Sequence, residues 1–202
     1  MEKDQVDLIF VCVSNRGRSV FAEFFVRKLL SELTDGECHK VRVTSAGFIP
    51  RAIKDQMAEL HIRFPEPFYD RPMAETTRTF LLERGIVVPP DWRSRELTPE
   101  MVRNADLIIT AIPQQEEDLL RLYPDAATKI STFRKISRWE EPFTFEDLTG
   151  LPKDNSYWNY VEEDVDYVNT ILSEVERSLI QAFPQILQFS IPGTPYIIRD
   201  CD

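Results

Sequence analysis

Short apolar runs alternate along this chain with longer stretches whose apolar positions recur every three and four residues. Asp7 to Val13 is almost continuously apolar, the mark of a strand buried on both faces. Val20, Phe21, Phe24, Phe25, Leu29 and Leu33 follow at helical spacing, which predicts an amphipathic helix from Ser19 to about Leu33, ended near Asp35-Gly36. A second strand is expected over His39 to Ser45. Pro72 to Arg84 reads as a helix stopped by Gly85, and Thr98-Pro99-Glu100 as a helix start with a capping threonine and a proline in the first turn. Asp106 to Ala111 predicts a buried strand, Gln114 to Leu122 a helix and Ala127 to Ser131 a short strand. Trp158 to Phe183 then reads as one long helix with Val161, Val165, Val168, Leu172, Val175 and Leu179 facing inward. Strands alternating with helices predict an α/β fold whose mainly parallel sheet is covered on both faces.

Two stretches fall outside that plan. Phe48 to Arg71, with Phe64, Pro65, Pro67, Phe68 and Tyr69, is too long for an ordinary connection, so it is either a lid or binding wall or a surface insertion packed by its own aromatics. Pro184 to Asp202, with Pro192-Gly193 and Pro195, reads as a tail. The expected organisation is one domain over residues 1–183, containing the inserted 48–71 loop, followed by the 184–202 tail.

Composition narrows the function. With 202 residues and 43% hydrophobic content the chain can fill one core. A net charge of -10 argues against nucleic acid or an anionic membrane surface as the main partner, since both demand basic faces. The acidic start Met1-Glu-Lys-Asp and the brevity of the run Leu8 to Val13 do not fit a secretion signal, and no run approaches a membrane span. Three cysteines, Cys12, Cys38 and Cys201, form neither a disulfide framework nor a CxxC pair, and with two histidines a structural metal site is not expected. A cytoplasmic, reducing setting follows, as a working thiolate requires.

The candidate chemistry lies in Cys12-Val13-Ser14-Asn15-Arg16-Gly17-Arg18-Ser19, between the first strand and the first helix. A loop at that junction aims several backbone N–H groups at one point, reinforced by the helix dipole, and so collects anions. Asn15 and Gly17 tolerate the backbone angles that curl such a loop into a nest. The same donors favour the thiolate of a cysteine at the bottom of the bowl, and thiolate is the nucleophilic form. Arg18 can grip two phosphate oxygens with its planar fork, and Ser19 is placed to donate a hydrogen bond to the Cys12 sulfur. Val13, Ser14, Asn15, Arg16 and Gly17 would line the cradle, which is expected to hold phosphate or sulfate.

The run Val11 to Glu23 resembles the signature of the low-molecular-weight protein tyrosine phosphatases. Ser45-Ala46-Gly47, Arg93-Ser94-Arg95-Glu96-Leu97-Thr98 and Ala105-Asp106-Leu107-Ile108-Ile109-Thr110 match further family features in order, so the resemblance covers about residues 6 to 180. It implies a three-layer αβα fold with a four-stranded parallel sheet, no metal or other cofactor, and a two-step hydrolysis of a phosphorylated protein or small aryl phosphate through a phosphocysteine. The family draws its general acid from a late Asp-Pro loop. Glu146-Asp147-Leu148-Thr149-Gly150 resembles that loop, with leucine in place of proline, and makes Asp147 the expected acid; Asp154 is the competitor.

Departures from the family pattern matter as much. Gly17 stands where many relatives carry a second cysteine, so the disulfide that shelters an oxidised nucleophile is not available. Arg16 replaces a small apolar residue or threonine; a cation there either favours polyanionic substrates and acidic flanks or pairs with a nearby carboxylate, and the excess of acids favours the pair. Phe48, Phe68, Tyr69, Tyr157 and Trp158 are the aromatics available to sandwich an aryl phosphate. Two other readings stay open: arsenate reductase on the same scaffold, for which only Cys201 follows Cys38, and a non-catalytic phosphate-binding module.

Overall fold

A computed structural model describes residues 5–33, 41–138, 140, 152–154 and 156–190. Four strands, β1 (Val6–Cys12), β2 (Val41–Gly47), β3 (Leu107–Thr110) and β4 (Ile130–Thr132), form one sheet in the order β2-β1-β3-β4, every neighbouring pair parallel. This is the four-stranded parallel sheet that the family resemblance implied. β1 and β3 are the inner strands, which explains their unbroken apolar runs: both faces of each are covered.

Pleating divides β1 between two cores. Leu8, Phe10 and Cys12 face one, with α1 (Arg18–Ser31), α2 (Arg51–Glu59), α3 (Glu75–Glu83), α6 (Phe133–Ser137), α7 (Tyr157–Glu163) and α8 (Val165–Ser190). Ile9 and Val11 face the other, with α4 (Pro99–Asn104) and α5 (Pro113–Leu122). Phe10 stacks on Phe133, and Phe21 on Phe25, in the larger core. Because chain order runs outward from β1 in both directions, the carboxyl ends of β1 and β3 diverge into a crevice, where α/β sheets take their ligands. Cys12 is the last residue of β1, so the topology puts the candidate nucleophile at that crevice.

Most expected elements form within two residues of their sequence-read limits. Thr98 does cap α4, its side chain accepting from the Met101 N–H at 3.2 Å, and α3 does stop before Gly85, which takes φ 71°. Several expectations are corrected. The 48–71 stretch contains α2, whose Ile53 and Met57 are buried one turn apart, a helical spacing that the surrounding prolines and aromatics obscure. Ala127 to Lys129 belongs to a 3₁₀ turn over Pro124–Lys129, and β4 begins only at Ile130. The expected single helix from Trp158 is two: the Asp164 side chain accepts from the Tyr167 N–H at 2.8 Å and starts α8 anew. That restart shifts the helical phase and leaves Val165 59% exposed, whereas Val168, Leu172, Val175 and Leu179 are buried as expected. α8 also runs through Pro184 to Ser190, carrying buried Ile186 into the core, so the helix extends past the point where the tail was expected to begin. Residues 191–202, the helix end near Asp35-Gly36, Cys38 and Cys201 lie outside the described residues.

Gly47 ends β2 beside Cys12, and its neighbours leave no room for a side chain. A Cβ there would stand 2.3 Å from Tyr69 Cε1 and 2.9 Å from the Val13 carbonyl oxygen. Gly47→Ala should therefore lower stability by about 1–3 kcal/mol through overpacking, read as a reduced denaturation midpoint.

Candidate active site

The loop from Val13 to Gly17 leaves β1 and enters α1 at Arg18. Its sharpest feature is Asn15, fully buried with φ 56°, the left-handed region that asparagine tolerates better than most side chains. Gly17, by contrast, has φ -124°, so the turn rests on Asn15 rather than on the glycine expected to share it.

The Asn15 side chain also organises the site. Its Nδ2 donates to Ser19 Oγ at 3.0 Å and to Ser45 Oγ at 2.8 Å, while its Oδ1 accepts from the Arg95 N–H at 2.9 Å. Each serine oxygen that accepts from Asn15 keeps its own proton to give. Ser45 donates to Glu23 Oε2 at 2.5 Å, and Ser19 Oγ lies 3.0 Å from Cys12 Sγ, which directs the Ser19 proton at the sulfur. Behind this network Glu23 is buried and paired with Arg27 at 2.7 Å. Burial pushes the Glu23 carboxyl up, and Arg27, Ser45 and Arg95 act against that push.

Tyr69 holds the other side of the loop, donating from its hydroxyl to the Val13 carbonyl at 3.2 Å. Burial first, then the charges of Glu96 and Cys12, raise its pKa far above the ordinary phenol value, so it remains a neutral donor.

Cys12, Val13, Ser14, Gly17 and Arg18 line a cleft of about 870 Å³, a volume that includes the solvent at its mouth. Its further walls are mainly apolar or aromatic, with Ile53 from α2, Ile112 before α5, Tyr157, Trp158 and Val161 from α7, and Tyr167, Val168, Ile171 and Leu172 from α8, and they also include the polar Thr77, Gln114 and Glu162. Trp158 is held in place by Phe64 and Phe68, each with ring centroids 5.3 Å from it, and by donating its Nε1–H to the Arg63 carbonyl at 2.8 Å. The 48–71 stretch thus serves both roles considered for it: Ile53 is cleft wall, and its aromatics brace α7. Burial raises the pKa values of Tyr157 and Tyr167, the latter to about 12, and the positive charge of Arg18 opposes both shifts.

Of the residues expected in the site, Asn15 and Ser19 lie behind the cleft wall as supports, and Arg16 turns inward. Only 6% exposed, Arg16 pairs through Nη1 with Glu162 Oε2 and donates from Nε to the Pro72 carbonyl at 2.7 Å. Its side chain takes the carboxylate-pairing alternative. Of the five aromatics named as sandwich candidates, Tyr157 and Trp158 line the cleft, while Phe48 packs in the core on the other side of the sheet. Asp147 lies outside the described residues. Asp154 is an exposed turn residue that accepts from the Ser156 N–H at 2.8 Å and hydroxyl at 2.6 Å; those bonds hold its carboxyl below the usual range, the reverse of what a proton donor needs. Glu23, Ser45, Tyr167 and Glu162 were not legible as site residues: each reads locally as an ordinary helix or strand position. Among the described residues no group of three or more histidine, cysteine or acidic side chains could hold a metal ion, and no helix is long and apolar enough to cross a membrane.

No protein-family model matches this sequence, and no curated protein matches it. Solved structures do, and arginine phosphatases and low molecular weight protein tyrosine phosphatases are among them. The YwlE arginine phosphatase from Geobacillus stearothermophilus superposes with a TM-score of 0.63 at 16% identity, over 95% of this chain and 99% of that one. A low molecular weight protein tyrosine phosphatase from T. tengcongensis gives 0.63 at 20% identity, over 90% and 99%. A YwlE arginine phosphatase with its active-site cysteine replaced by a serine that is phosphorylated gives 0.60 at 22% identity, over 90% and 95%. The chain has the fold of the low-molecular-weight protein tyrosine phosphatases.

Asn15 supplies both a left-handed turn and three hydrogen bonds, and two substitutions separate them. Asn15→Ala should cost about 2–4 kcal/mol of unfolding free energy, and Asn15→Gly about 1 kcal/mol less because glycine accepts φ 56°. Equal losses in chemical denaturation would show that the backbone angle contributes nothing.

Proposed function

We propose that this chain is a phosphomonoester hydrolase, a cysteine-dependent protein tyrosine phosphatase acting in a reducing cytoplasm. The observation that carries the reading is the Cys12 sulfur at the end of a buried strand, 3.0 Å from Ser19 Oγ, in a cleft shared with Arg18 at the first position of a 14-residue helix. The phosphatase names of the solved structures with this fold support it. So does the phosphorylated serine at the active-site cysteine position of one of them, because it puts the phosphoryl group on that side chain.

In the proposed reaction the Cys12 thiolate attacks phosphorus, the bond from phosphorus to the leaving oxygen breaks, and that oxygen takes a proton from Asp147. Water then attacks the phosphocysteine and gives a proton to the Asp147 carboxylate. The sulfur departs as thiolate, stabilised by the hydrogen bond from Ser19, and phosphate is released. Arg18 holds the equatorial oxygens through both steps, and the loop N–H groups from Val13 to Gly17 complete the cradle.

The aromatic wall of Tyr157 and Trp158 suits a phenyl leaving group, although the planar guanidinium of phosphoarginine, the group that the arginine phosphatase comparison brings into question, also stacks on aromatic faces. Hydrolysis of a phosphotyrosine peptide should exceed that of the matched phosphoarginine peptide, and the reverse order would assign the guanidinium substrate instead.

Cys12→Ser should abolish aryl phosphate turnover while the protein still binds inorganic phosphate. Asp147→Asn should slow substrates with poor leaving groups by about 10²–10⁴-fold and activated aryl phosphates much less. Phosphate binding by wild-type protein without turnover of any phosphoester would make the chain a binding module, and arsenate-dependent consumption of a thiol reductant would make it a reductase.

A further inference from the structure

Arg16 and Glu162 are separated by 146 positions, yet they form a buried ion pair at the cleft, whose wall Glu162 helps to line. The pair is extended on both sides. Arg16 Nη2 lies 3.6 Å from Glu163 Oε1, and Arg71 Nη2 lies 3.6 Å from Glu162 Oε2. The backbone is tied in as well: Thr76 Oγ1 donates to the Glu162 carbonyl at 2.5 Å, and the Ala74 N–H donates to the Arg16 carbonyl at 3.2 Å. Three segments distant in sequence, the phosphate loop, the 71–76 stretch and α7, therefore meet at one guanidinium.

That junction sits at one end of α7, and the cleft aromatics sit at the other. Tyr157 and Trp158 occupy the first turn of α7, anchored by Phe64, Phe68 and the Arg63 carbonyl, while Glu162 anchors its last turn. A seven-residue helix has little intrinsic stability, so its position depends on tertiary contacts, these two anchors together with its packing on α3 and α8. Burial lowers the pKa of Arg16 and raises that of Glu162, and each charge opposes the shift of the other. Removing Glu162 would leave Arg16 with only the exposed Glu163 carboxylate and the Pro72 carbonyl, and moving α7 outward is the direct way to rehydrate it.

We propose that Arg16 and Glu162 form a clasp holding the aromatic wall of α7 against the phosphate loop, which makes Glu162 a positioning residue for the group that carries the phosphoryl. The proposal rests on the reading of the Cys12 loop as a phosphate site. Tyr157 and Trp158 meet the aryl group of a ligand and not its phosphoryl oxygens, so the clasp governs preference between ligands rather than anion binding as such. An arginine in the loop has thereby changed its use: its charge is spent on α7, and its position sets the distance between cradle and wall.

The test is calorimetric titration of the whole chain with two non-reacting probes, inorganic phosphate and phenylphosphonate. Wild-type protein should prefer phenylphosphonate, and Glu162→Gln should reduce that preference by about tenfold; the ratio of the two affinities is the readout, because loss of a carboxylate lining the cleft alters the affinity for both anions. Arg16→Lys keeps the positive charge but loses the fork that reaches Pro72 and Glu162 together; it should reduce the preference in the same sense, and it carries the test should Glu162→Gln not fold. A preference unchanged in the variants, or equal losses for both probes, overturns the clasp while leaving the phosphate site standing. Wild-type protein that binds neither probe overturns the phosphate site, and the clasp with it.

Discussion

The structure depends most on one buried amide. Asn15 turns the chain through the left-handed region and satisfies three partners from three segments, Ser19 on α1, Ser45 on β2 and Arg95 in the connection before α4. An amide suits this place because it offers two donors and an acceptor without a charge, in an interior where each unmade bond costs about 1–3 kcal/mol. Its two donors also set the direction of two hydroxyl protons. One runs to the Glu23 carboxylate and the other to the Cys12 sulfur, so the buried acid and the buried thiol are coupled through a single side chain.

The sheet gives that network its place and the helices give it walls. Strand order delivers Cys12 to the crevice between β1 and β3, and the close approach of Gly47 to Tyr69 lets the loop pack tightly on β2. Most of the remaining walls come from more than a hundred residues later in the chain, on α7 and α8. They are brought back by apolar burial along α8 and by specific polar contacts along α7. The cleft therefore joins a cradle built from local backbone to a wall built from distant side chains, with the Arg16–Glu162 pair at the seam.

Legibility in the sequence followed the range of the interactions. The β1 and β3 runs, the caps at Thr98 and Gly85, and the loop from Cys12 to Ser19 were readable because pleat, helical period and turn chemistry depend on neighbours a few residues apart. The break at Asp164 was missed although an Asp at a helix start is a local signal, since the apolar period appeared to continue through Val165. α2 was hidden by the prolines and aromatics around it, which dominate the composition of the 48–71 stretch.

By itself, then, the sequence determined the alternation of strands and helices, the loop between β1 and α1 with its cysteine, arginine and serine, and the net charge of -10. Tertiary structure decided which side chains face that loop. It turned Arg16 inward to a glutamate, put Tyr157 and Trp158 on the cleft while sending Phe48 to the other core, and left Asp154 on an exposed turn. The physical reason is that a local pattern specifies a backbone and the face it buries, whereas the partner of a buried charge depends on how distant elements pack, which no short stretch of sequence contains.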